Sequence, residues 1–354
     1  SGNNASNNNN GIYLESSSNN TLSGNNASNN GWGGIYLDDY SNNNTLSGNT
    51  ASNNNYGIYL WYSSNNTLSG NNASNNDYGI HLYSSSDNNT LSSNNASNNN
   101  EYGIYLYKSS NNNTLSGNYA SNNNNGIYLE SSSNNRISGN TFVNNGIFVY
   151  ESYPNTVTNN TVNGKPLVYL EDMADTVVED AGQVILVRCH NITVEGLNLS
   201  YATVGAELWN TNSTTIENSI LVNNKYGIYL RSSSNNTLSG NNASNNDYGI
   251  GLYSSSNNTL SGNTASNNDY GIRLYSSSDN NTLSGNNASN NNEYGIYLYK
   301  SSNNTLSGNN ASNNGWDGIY LDHSHNNTLS GNTASNNDYG IYLCYSSNSN
   351  TLSG

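Results

Sequence analysis

Glu171, Asp172, Asp175, Glu179 and Asp180, followed by Arg188 and His190, form an acidic run that does not recur elsewhere in the sequence. Clustered carboxylates with a cation are what polysaccharide lyases and hydrolases need to polarise a sugar, abstract a proton and protonate a leaving group. Most other acids, such as Asp77, Asp247, Asp269 and Asp338, stand before a Tyr-Gly pair and return at equivalent positions, which points to structure or solubility. Cations are scarce, with 8 Lys plus Arg in 354 residues, and no complete catalytic constellation emerges. The expectation is that the chain has no enzymatic activity.

Metal chemistry has equally few donors. His323 and His325 would set two imidazoles on one side of an extended segment, although a solvated corner is the preferred reading. Soft metals require clusters of thiolate, thioether or imidazole, and the chain offers Met173, Cys189, Cys344 and four His. No metal or cofactor is expected. Cys189 and Cys344 lie about seven repeats apart, beyond the reach of one bridge, so they read as free or intermolecular thiols.

Recognition is the third chemistry. In the recurring tetrapeptide Gly-Ile-x-Leu, position x is Tyr59, Tyr105, Tyr229 and Tyr297 among others. Two residues further on stand Trp61, Tyr83, Tyr107, Tyr253, Tyr275 and Tyr299. Both positions are expected to face outward, where stacked rings brace one another or dock on the flat face of a sugar or a neighbouring rod.

These side chains are positioned by a repeat. Asparagine makes up about a quarter of the chain and 30 residues are Tyr, a bias that signals either disorder or periodicity. Periodicity wins, because the Ile of Gly-Ile-x-Leu returns at Ile12, Ile35, Ile58, Ile80, Ile104, Ile127 and Ile147, then from Ile228 to Ile341, in steps of 20 to 24 residues. Thr-Leu-Ser-Gly and Asn-x-Ala-Ser-Asn-Asn keep step with it. Each unit thus has three short extended pieces between Asn, Ser and Gly corners, with no helical period.

Alternation puts Ile228 and Leu230 inside and Gly227 and Tyr229 outside, with Leu238 and Ala243 completing the interior. One turn buries too little apolar surface to offset the fixing of its backbone. Stability must come from stacking, with Asn amides pairing from turn to turn as in cross-β ladders. The fold class is therefore all-β, a parallel β-helix of about 15 coils with three strands each. It reads as a single helix over 1–354, with regular coils at 1–149 and 227–354. Between them, 150–226 is degenerate, with a loop insertion near 160–181 and Ile185 in register with Ala206 and Ile228.

The phrases NNTLSGNNASNN and YGIYL, together with NGKPLVYLEDMADTVVEDAGQVILVRCHNITVEGLNLS, resemble the NosD-type β-helix repeat proteins found among archaeal secreted and surface proteins. That resemblance implies a right-handed helix and an extracellular or cell-surface location. It also implies several roles, from adhesin and surface layer to carbohydrate-active enzyme and copper accessory.

A net charge of -15 argues against nucleic acid or anionic lipid as partner. No apolar run approaches a membrane span, and no signal peptide is present, so the chain reads as mature or partial. Asn19, Asn26, Asn191 and Asn198 open glycosylation sequons. The 34 residues from Asp77 recur almost verbatim from Asp269. The chain also stops at the part of the unit that precedes its own beginning, and no amphipathic cap is recognisable. The resulting expectation is a structural filament or layer of copies stacked head to tail. The alternative is a glycan-binding adhesin using the Tyr and Trp rows; a polysaccharide lyase or hydrolase ranks third.

Overall fold

The computed structural model describes residues 1–354. By internal contacts the chain divides into two compact units, Ser1–Leu167 and Val168–Gly354. Both are parallel β-helices built only of strands and turns, and no helix is long and apolar enough to cross a membrane.

In the first unit the long strand of each turn carries the Gly-Ile-x-Leu tetrapeptide, as in Tyr56–Trp61 and Tyr78–Tyr83, and seven of them form one sheet. The Thr-Leu-Ser pieces, such as Thr67–Ser69, form a second seven-stranded sheet. The third side is a row of bridges from Asn4 through Asn26, Thr50, Asn72 and Asn95 to Tyr119, continued by Thr141–Val143 and Thr161–Val162. Registers match like with like: Ile58 pairs with Ile80, Leu60 with Leu82, Leu68 with Leu91. Ile58, Leu60, Leu68 and Ala73 are fully buried, as their repeat partners are. The second unit repeats the plan with nine long strands, from Lys165–Glu171 to Tyr339–Cys344.

Asparagine serves two purposes within a turn. At corners it takes the left-handed conformation, as at Asn53 and Asn65, alternating with Gly70. Its short polar side chain tolerates that region better than other L-residues do. Elsewhere it is buried. Asn71 Oδ1 accepts from the Asn49 backbone N–H at 3.0 Å and from Asn49 Nδ2 at 2.9 Å, while Asn71 Nδ2 donates to the Leu46 carbonyl at 3.0 Å. The same pattern runs through Asn94, Asn118 and Asn140, and in the second unit through Asn241, Asn263, Asn286 and Asn309. Each amide thereby satisfies corner backbone groups that point along the helix axis and that the sheets leave unpaired.

Two expectations are corrected here. The segment 160–181 is not a loop insertion. Thr161 and Val162 pair antiparallel with Pro166 and Lys165 across a two-residue turn, Asn163-Gly164, with φ of 52° and 79°. Asn-Gly is suited to that turn because both central residues need positive φ. The hairpin lies where the chain divides into its two compact units. The strand Lys165–Glu171 supplies a sixteenth turn, one more than the repeat count gave. The register of the centre is also shifted by one: Val184 and Leu186, not Ile185 and Val187, pair with Ala206 and Leu208. All four are fully buried, so burial there carries no alternation from which to read the inner face.

Replacing Asn71 by Ala orphans the Leu46 carbonyl and the Asn49 N–H together. At about 1–3 kcal/mol for each buried group left unpaired, urea denaturation should show a loss of about 2–6 kcal/mol. Asn26→Ala, at an exposed position in the bridge row of the third side, should change stability by about 0.5 kcal/mol or less.

Candidate aromatic binding face

The third correction explains the binding face. Glycine before Ile points inward, not outward: a Cβ on Gly227 would lie 2.5 Å from the Gly249 carbonyl oxygen and 3.0 Å from the Ala243 Cβ. On Gly79 it would lie 2.4 Å from the Gly103 oxygen. Only glycine fits that approach, and Gly57 and Gly79 drop out of the paired register between Tyr56–Tyr78 and Ile58–Ile80. Alternation slips at this point as at a bulge. The residue before the glycine therefore turns outward, and Tyr56, Tyr78 and Tyr102 form a third aromatic row beside the two that alternation foresees.

In the first unit the three rows make a trough. Its floor is position x, where Tyr36, Tyr59, His81 and Tyr105 follow one another at centroid spacings of 4.7, 5.0 and 4.6 Å. One wall is Trp32, Tyr56 and Tyr78, at 5.3 and 4.8 Å; the other is Trp61, Tyr83 and Tyr107, at 6.2 and 5.3 Å. These ten residues enclose about 530 Å³. At position x the rings lie deeper than expected, with Tyr36 and Tyr105 each 8% exposed, whereas Trp61 is 36% exposed.

His81 is the titratable group of the floor. It stacks between rings, 14° from parallel with Tyr105, and neither ring nitrogen has a hydrogen-bond partner. Burial lowers its pKa from the ordinary 6.5 to about 3, so the imidazole is neutral. Burial also raises the phenols of Tyr36, Tyr59 and Tyr105, which stay protonated as donors. Lys108 sits at the rim, its Nζ donating to the Tyr83 hydroxyl at 2.8 Å and lying 5.0 Å from the Tyr83 and Tyr107 rings. That bond holds the Tyr83 phenol below its usual range.

The second unit carries the same three rows, with Tyr226, Tyr248 and Tyr270 on one side and Tyr253, Tyr275 and Tyr299 on the other. Tyr229, Gly251, Arg273 and Tyr297 follow along the floor. Tyr229 is buried. Of the ten aromatic residues singled out from sequence, Tyr59, Trp61, Tyr83, Tyr105 and Tyr107 line the first trough, and Tyr229, Tyr253, Tyr275, Tyr297 and Tyr299 belong to the second face. Sequence reasoning missed the Tyr-Gly row, His81 and Arg273. The repeated Tyr-Gly dipeptide was the available signal.

The other candidates disperse. Arg188 pairs with Asp172 and approaches Glu171 at 4.0 Å, Tyr169 donates to Glu171 at 2.7 Å, and Asn191 donates to Asp175 at 2.6 Å. Asp175, Glu179, Asp180 and His190 lie exposed. His323 has φ of 48°, which sets it at an exposed corner and not in an extended segment, the preferred of the two readings; it pairs with Asp322, while His325 Nδ1 accepts from the Asn348 N–H at 3.2 Å. Cys189 is buried, its thiol directed at the Leu170 carbonyl at 3.3 Å, and Cys344 meets the Tyr320 hydroxyl at 3.0 Å; both are free. Asn19, Asn26, Asn191 and Asn198 all lie at the surface.

The chain belongs to the family described as the right handed beta helix region, whose model matches residues 1–142, 74–199 and 204–354. No curated protein matches it in sequence. Among solved structures it is similar to a periplasmic alginate epimerase, at 17% identity over 90% of this chain and 75% of that one, with a TM-score of 0.39. It is also similar to the A-module of an Azotobacter vinelandii mannuronan C-5 epimerase, at 14% identity over 87% of each chain with a TM-score of 0.41. Tailspike protein 3 of bacteriophage CBA120 aligns at 12% identity over 94% of this chain and 56% of that one, with a TM-score of 0.37. At these identities the likeness is one of fold. The expectation of no enzymatic activity is withdrawn on this finding, since the fold is shared with named epimerases and a shortage of Lys and Arg does not exclude catalysis.

The His81 geometry fixes a pH dependence. The unfolded chain takes up a proton near pH 6.5 and the folded chain only near 3. Stability is therefore full above pH 6.5 and declines as pH falls towards 3, by about 1.4 kcal/mol per unit. Replacing His81 with Tyr removes this one titration and keeps a ring in the floor. Between pH 7 and pH 4, urea denaturation should show the wild type losing about 3 kcal/mol relative to the variant; a constant difference would refute the buried neutral imidazole.

Proposed function

We propose that this protein acts outside the cytoplasm as a glycan-binding β-helix, holding an oligosaccharide lengthwise in the aromatic trough of the first unit. One observation carries the reading: ten rings, spaced turn by turn along the helix, enclose a volume within the range of small-molecule sites. Sugars present C–H faces that stack on aromatic rings, and hydroxyls at their edges that suit phenol donors. The floor side chains are themselves uncharged, and the Tyr105 hydroxyl donates to the Glu130 carboxylate at 2.5 Å, which favours a ligand without negative charge. Trp32 and Trp61 stay substantially exposed on opposite walls, as expected of rings that await a partner.

Extracellular or periplasmic location agrees with the setting named for the similar periplasmic epimerase. Glycan binding takes precedence over the filament, for which the trough offers no specific support. Attachment to a surface glycan in the manner of an adhesin is the finer form of the reading.

Affinity electrophoresis and calorimetry against a panel of soluble polysaccharides test it. Trp61→Ala, Tyr83→Ala and Tyr107→Ala should each weaken binding by up to about tenfold, the equivalent of one ring contact. Circular dichroism should be unchanged, because these rings lie outside the core. Retained affinity in all three variants, or no binding to any polysaccharide by the wild type, would overturn the assignment.

A further inference from the structure

The duplicated 34 residues, 77–110 and 269–302, differ at two positions. One is Ser93 against Gly285, both left-handed corners with φ of 54° and 59°. The other is His81 against Arg273, on the aromatic face. Two nearly identical stretches of β-helix therefore differ in the floor of the trough and in little else.

The consequence is geometric. The imidazole of His81 is short and lies flat among rings, stacking on Tyr105 at 4.6 Å and on Tyr78 at 5.6 Å. The volume above it stays open. Arg273 is long enough to rise between the walls of its own face. Its guanidinium carbon lies 5.1 and 5.5 Å from the Tyr270 and Tyr248 centroids on one wall, and 4.5 and 5.5 Å from Tyr275 and Tyr253 on the other. Tyr297, next along the floor, is 5.6 Å away. Nη1 donates to the Tyr253 hydroxyl at 3.1 Å, and Nε is shielded from solvent without a partner. No carboxylate pairs with the guanidinium, so the surrounding rings hold it, by cation–π attraction strengthened by partial desolvation. Gly251, one turn before, stands where the first unit has Tyr59, and the Tyr253 ring leans over it, 3.0 Å from where a Cβ would lie.

We propose that Arg273 is a built-in occupant of the second trough. Its guanidinium takes the place that a ligand ring takes in the first unit, so His81 against Arg273 determines which of the two duplicated faces binds a neutral glycan. This rests on the glycan-binding reading and adds to it a stoichiometry of one ligand per chain and a residue that sets it.

Two measurements test the inference independently. Isothermal titration of the full chain with cellohexaose, mannohexaose and xylohexaose should give one molecule per wild-type chain. His81→Arg should lose affinity by about tenfold or more, as an occupied ring site would. The double variant Gly251→Tyr and Arg273→His, which rebuilds the floor of the first unit, should take up a second molecule. Two molecules on the wild type, undiminished binding by His81→Arg, or no gain by the double variant would each overturn the proposal.

The second measurement needs no sugar. Arg273→Gly empties the site, and millimolar methylguanidinium should then raise its thermal midpoint and perturb its tyrosine fluorescence, with no such effect on the wild type. Failure of that rescue overturns the proposal even where sugar binding is sound. If none of the three sugars binds the wild type, the glycan reading fails at these probes, and the methylguanidinium result still decides whether Arg273 fills the trough.

Discussion

Every other feature of this protein depends on one contact, the amide of a buried asparagine laid against the backbone of the adjacent turn. A β-helix turns its chain at corners, and a corner keeps only part of the turn-to-turn backbone ladder, as where the Gly70 N–H donates to the Ser92 carbonyl at 3.0 Å. Asn71 and its equivalents solve this with three bonds each, and they do so inside the molecule, where an unpaired carbonyl would be most costly. Because the corners are satisfied by side chains, the turns can be short. The short turns in turn bring the aromatic positions into rows at ring-stacking distance.

The aromatic face is a by-product of close approach. At Gly57 and Gly79 the interior leaves no space for a Cβ, so the strand slips by one residue as it leaves the corner, and a residue meant for the core is sent to the surface. Tyrosine at that position gains contact with the ring three residues ahead, as Tyr56 does with Tyr59 at 5.0 Å. A face two rings wide thereby becomes three wide, and three rows enclose a trough where two would make only a ridge. The floor is then the one place where a change of residue alters both the charge and the depth of the surface.

Much of the fold could be read from the repeat phrase, because Ile and Leu occupy equivalent inner positions in turn after turn and pair with their own kind. What escaped has physical causes. The parity of Gln183–Val187 was hidden because the whole strand is buried. The turn Asn163-Gly164 was concealed by its setting, since it sits among dozens of other Asn and Gly residues that serve as corners. Half of the trough was legible as outward tyrosines; the row before glycine was not, because strict alternation assigns it to the core. The importance of His81 and Arg273 depends on depth, which no one-dimensional pattern records.

The ladders also bear on how such a gene can change. Each asparagine refers only to the turns directly before and after it, so excision or copying of a whole repeat leaves every ladder in register. Loss or gain of a single codon is absorbed at the corners between ladder positions, since successive ladder amides stand anywhere from 20 to 24 residues apart. Copying of whole turns is therefore tolerated, and the twin stretches 77–110 and 269–302 bear the mark of such an event. A lineage of these chains would be expected to vary in length by steps of roughly 22 residues, with its aromatic surface growing or shrinking in proportion.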